Sequence, residues 1–159
     1  MLPTGERSSD VLPDNAWRGT VNRLSRHACQ MMPWLLAFYA VASLVHFTHN
    51  AEHLAQYPNL PASWTRADVY LAWCGVTTVG LSGYLLYRVG YRLAGLTVLV
   101  IYGGFGFDGL LHYTRAPIGH HSPAMNFTIW AEVVAAALLL IDLTSLAIRN
   151  LKLNASTAA

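Results

Sequence analysis

Charge is the scarcest property of this 159-residue chain: only 11% of residues are Asp, Glu, Lys or Arg, less than half of the roughly 25% usual in a soluble domain. Lysine occurs once, at Lys152. The net charge of +2 from 10 basic residues is too weak a bias for a nucleic-acid binder. There are only two cysteines, Cys29 and Cys74, which excludes a disulfide framework and a cysteine-rich metal site. Cys29 lies just before the first apolar block and Cys74 inside the second, which puts them in different leaflets and argues against a bridge between them. Strand-like alternation is missing, as are the nucleophile elbow, the phosphate-binding loop and the nucleotide fingerprint. What remains is apolar: 54% of the residues are hydrophobic, and they cluster in long blocks that point to a bilayer as solvent.

Four blocks have the length of a span, about 20 residues for 30 Å of hydrocarbon. They cover residues 31–54, 68–89, 93–113 and 123–148. Backbone polar groups find no water in a bilayer, so each block is expected to be a helix. Short connections then predict an all-α integral membrane protein, an antiparallel four-helix transmembrane bundle over residues 31–150. Residues 1–30 read as a flexible basic arm, with 17–27 able to lie on an anionic membrane surface. Residues 151–159 read as a disordered tail. Tyr57-Pro58-Asn59-Leu60-Pro61 separates the first two blocks. Thr65 with Asp68, and Ser122 before Pro123, have the pattern of helix starts.

Basic residues set the orientation. Arg7, Arg18, Arg23, Arg26, Arg88, Arg92, Arg149 and Lys152 share one side; Arg66 and Arg115 stand on the other. Both termini are therefore expected in the cytoplasm, and the 50–66 and 114–122 connections in the periplasm, with the bilayer of a bacterial inner membrane between them. The stretch from Pro33 to Val45 also fits the apolar core of a signal peptide, but thirty preceding residues are too many for its basic leader.

Histidine is the residue in excess. Seven histidines stand against eight acidic residues, and six of them fall at outward ends of blocks: His46, His49, His53, His112, His120 and His121. On a helix His46, His49, Asn50 and His53 lie within roughly a 100° arc. Asp108 and His112 are an i, i+4 pair, set among Gly103, Gly104, Gly106 and Gly109. Glu132, with Thr128 one turn outward, lies about 12 Å below the outer end of its helix, a depth close to those of His46 and Asp108.

Imidazoles and carboxylates converging at one depth suit a divalent metal. The expected ligands are His46, His49, His53, Asp108, His112, His120 and His121, with copper, zinc and iron all open. Glu132 is the candidate general base on a metal-bound water. Such a site serves a metalloenzyme for a small hydrophobic substrate, or a metal-binding subunit that partners other membrane subunits or a second copy of itself. Two alternatives stay open: a single haem b between His49 and His112, or a structural or proton-sensing histidine network without metal. His49-x-x-x-His53 is similar to one histidine box of the membrane desaturases, but no HxxHH box accompanies it. Asp142, deep in the fourth block, is expected to pair with Arg88 or Arg92.

Overall fold

The computed structural model describes residues 14–157, with side chains described from 31 to 152. Helix α1 spans Asp14–Glu52, α2 Arg66–Arg88, α3 Arg92–Phe105, the four-residue α4 His112–Arg115 and α5 Pro123–Thr157. Among the described residues there is no strand, and four helical segments, 31–52, 66–88, 92–115 and 123–152, are long and apolar enough to cross a membrane.

Local sequence explains most of the ends. Thr65 and Asp68 close a reciprocal capping box at the start of α2, which satisfies two of its four orphan amides. Ser122 Oγ accepts from the Met125 amide (3.2 Å) at the start of α5. Gly90 turns the chain between α2 and α3 at φ 106°, a conformation open to glycine without a Cβ penalty.

Three expectations change. The first helix begins at Asp14 rather than at the membrane block, so 14–30 is helical and continuous with the first span; residues 1–13 lie outside the described part. Pro33 sits inside this helix. At the other end α5 runs on to Thr157, where a disordered tail was expected. Neither stretch contains a breaker where the helix continues, apart from Pro33 and Gly19. The third change is a break. The expected helix over 93–113 stops at Phe105 and gives way to a 3-10 turn over Asp108–Leu111. Gly106, Phe107 and Leu110 donate to Gly103, Gly104 and Phe107, three residues back, at 3.0–3.2 Å. Glycine is a poor helix former. Gly106 also sits where a Cβ would lie 2.7 Å from Tyr39 Cε2, so the chain passes the Tyr39 ring at backbone distance.

Helix α1 packs on α5 and α2, and α3 packs on α2 and α5, which closes a four-sided bundle. The half distant from the histidines is dense. Tyr39, Leu99, Leu139 and Leu143 are fully buried there, and Tyr39 donates to the Tyr102 carbonyl (3.2 Å). The backbones of α2 and α3 meet so closely that a Cβ on Gly95 would stand 2.5 Å from the Tyr87 nitrogen. Lipid-like side chains cover the outside: Trp34 is 75% exposed, Leu71 68% and Ile141 65%. In water such a surface would be an aggregation hazard.

Candidate functional site

At the histidine end the bundle opens. The 53–65 connection folds across it and meets the third segment, where Asn59 Nδ2 donates to the Arg115 carbonyl (2.8 Å) and Arg115 Nη1 to the Asn59 carbonyl (3.4 Å). Asn59 holds φ 56°, a left-handed turn that asparagine tolerates better than most residues. Glu52 and Arg66 (3.0 Å) join the ends of α1 and α2 on the surface, so Glu52 is paired rather than merely solvated. Beneath this cover lies a cavity of about 300 Å³, at the small end of the ~300–1,000 Å³ of ligand sites. Its walls are apolar and aromatic, with Phe47, Leu60, Trp64, Val69 and Val76 among them. Its polar lining is His46, Asn50, Asp108, His112, Arg115 and Glu132.

His46 is the best determined of these groups. It is 2% exposed. The Thr128 hydroxyl donates to the Met125 carbonyl (3.0 Å) and stands 3.3 Å from His46 Nδ1, so Nδ1 carries the ring proton and donates to Thr128. Asn50 Nδ2 donates to the lone pair on Nε2 (3.1 Å). Across the cavity floor, Glu132 Oε2 stands 3.7 Å from the same Nε2, beyond hydrogen-bond reach. Glu132 is 1% exposed. Gly109 leaves this gap open: a Cβ there would lie 3.5 Å from Nε2 and 3.8 Å from Oε2. The 3-10 turn and the start of α4 carry Asp108, Gly109 and His112 at the cavity.

The remaining histidines divide. The His112 ring lies 5.7 Å from that of His46 and 6.3 Å from that of His121. His121 is buried outside the cavity lining; its Nδ1 donates to the Pro117 carbonyl (3.2 Å) and its Nε2 has no hydrogen-bond partner. His49 faces Tyr57, whose hydroxyl stands 2.9 Å from Nδ1. Burial pushes the Tyr57 phenol above its ordinary range, so it stays protonated. Tyr57 also packs 4.8 Å from the His112 ring, so it touches both histidines expected to flank a haem. His53 stacks 4.6 Å from His49 at an exposed position, and His120 is exposed.

Of the expected residues, then, His46, Asp108, His112 and Glu132 share one cavity, while His49, His53, His120 and His121 lie around it. Among the described residues, no group of three or more His, Cys, Asp or Glu side chains is placed to hold a metal ion. Asn50 and Thr128, already visible on the polar faces of their helices, turn out to orient His46. The parts of Tyr57 and Arg115 in covering the cavity had no signal in sequence, because the partners are remote. Among the described residues no ion pair joins Asp142 to Arg88 or Arg92; Arg88 bonds Tyr84 (2.9 Å), and the basic group that acts on Asp142 is Arg149. Cys74 is a free, exposed thiol; Cys29 lies outside the described side chains.

Comparison with known protein families, with curated proteins and with solved structures finds no match for this chain.

Proposed function

We propose that the chain is an antiparallel four-span protein of a bacterial plasma membrane, with its termini cytoplasmic, and that its outward end binds a small, mostly apolar molecule for acid–base chemistry at His46 and Glu132. The cavity carries this reading. A purely structural polar network would be packed shut, whereas here apolar walls enclose space above a floor of imidazole, amide and carboxylate. A handful of convergent polar groups under an apolar pocket is the usual make-up of a ligand site. The floor is suited to moving a proton. The His46 Nε2, whose lone pair the Asn50 amide holds, and the Glu132 carboxyl group stand 3.7 Å apart, so a ligand X–H at the Gly109 gap meets Glu132 directly and His46 once it displaces Asn50.

Filling the cavity tests the reading. Ala72 lines the wall on α2, and Ala72→Trp would place an indole in the space. Full-length protein in lipid nanodiscs should bind benzyl alcohol in a saturable way that Ala72→Trp abolishes. Equal binding by both would mean partition into lipid and would remove the ligand site.

One observation favours a second reading, in which a divalent transition metal (copper, zinc or iron) binds at the same floor. Thr128 and the Pro117 carbonyl hold the protons of His46 and His121 on Nδ1, and a fixed tautomer with a lone pair on the other nitrogen is how imidazole is prepared for a metal. His46, His112, Asp108 and Glu132 would have to converge for this. Elemental analysis of the purified protein decides: stoichiometric metal that falls in His112→Ala and Glu132→Gln supports it, and metal-free protein that still binds benzyl alcohol eliminates it.

A further inference from the structure

The charges in the cavity define its occupant more closely than its size does. Asp108 and Glu132 both line it: Glu132 is 1% exposed and cut off from water, Asp108 is exposed, and two carboxylates sharing one cavity repel each other. Their compensation within the protein is slight. Helix α2 offers the cavity only Val69, Ala72 and Val76 besides its approach loop. Helix α1 offers the neutral His46, whose Nδ1 faces Thr128 and whose Nε2 faces the Asn50 amide, and the buried Ser43 hydroxyl beside Glu132; none of these carries a positive charge. The broken third segment adds His112, with His121 behind it. Arg115 is the one fixed positive charge in the lining, and it is exposed and bonded to the Asn59 carbonyl, where water screens it from the floor. An anion would meet two carboxylates at the floor. A neutral molecule would leave them unmatched.

A positive occupant resolves this, and the walls say of which kind. Phe47, Tyr57 and Trp64 line the cavity together with Leu54 and Leu60. Aromatic faces attract an organic cation, at about 0.5–2 kcal/mol per favourable contact. We propose that the ligand of this cavity is a small apolar amine or ammonium ion, its positive group held by Asp108 and Glu132 and its hydrocarbon part against the aromatic wall. This rests on the ligand-site reading above.

The experiment compares benzylamine, which is protonated across pH 5–8, with benzyl alcohol, its neutral counterpart of the same shape. Full-length protein in nanodiscs is titrated with each, and Ala72→Trp supplies the correction for lipid partition. The expected result is binding of benzylamine about tenfold or more tighter than benzyl alcohol at pH 8. Asp108→Asn and Glu132→Gln should each lose that preference while still binding benzyl alcohol, which shows that they fold. Equal affinity for the two ligands in the wild type, or a preference that survives both substitutions, overturns the cation assignment and leaves the ligand site standing. Binding of neither ligand overturns both.

Discussion

At the scale of single residues, Thr128 decides how His46 behaves. A threonine hydroxyl in a helix satisfies its own proton on a carbonyl one turn back, here Met125, and what remains is an acceptor. That acceptor fixes the imidazole tautomer. Thr128→Val keeps the shape and removes the acceptor, so a buried N–H loses its partner at a cost of about 1–3 kcal/mol. Chemical denaturation in detergent should show this loss. The ¹⁵N shifts of His46 should move with it, because the proton is then free to reside on Nε2 beside Glu132. An unchanged tautomer in Thr128→Val would mean that Asn50 or Glu132, not Thr128, orients the ring. Gly109 acts by what it lacks, since any side chain there enters the gap between the two bases.

At the scale of elements, the broken third segment is the feature that makes a site. Glycines lower the cost of leaving the helix, but their presence does not say which of them matters. A Cβ on Gly104 would meet nothing within 4 Å, whereas one on Gly106 would run into Ala136 and the Tyr39 ring. Gly104→Ala should therefore be neutral or slightly stabilising, by up to about 1 kcal/mol from helix propensity. Gly106→Ala should cost about 1–3 kcal/mol, the usual penalty of overpacking, and should loosen the Asp108–His112 turn. Thermal unfolding of the two variants side by side measures the difference. Similar melting temperatures would show that the break does not depend on the Tyr39 contact.

For the whole molecule, a dense half and an open half follow from different packing. Glycine contacts draw α2 and α3 together at one end, and the 53–65 connection, tied to Arg115 through Asn59, spans the gap at the other. The distribution of basic residues predicts that the open end faces outward. A cytoplasm-active reporter fused after Lys152 should be active, and an export-dependent reporter inserted within residues 57–64 should be active too. The reverse pattern would invert the molecule and put the cavity on the cytoplasmic side.

Hydropathy alone determined the four long helices, because about 20 consecutive apolar residues are legible without knowing any partner. Side-chain chemistry and the 3.6-residue period were enough to find the polar stripe of α1 and the depth shared by His46, Asp108 and Glu132. Sequence could not divide the histidines between cavity and surroundings. His49 lies on the same arc as His46, yet a tyrosine eight positions on takes it, and His121 is held by a carbonyl of its own loop. Such choices depend on where a connection crosses the bundle, and periodicity carries no information about that. The break at Gly106 was hidden for the same reason: four glycines signalled close packing, but only the fold shows that Gly106 is the one pressed against Ala136 and the Tyr39 ring.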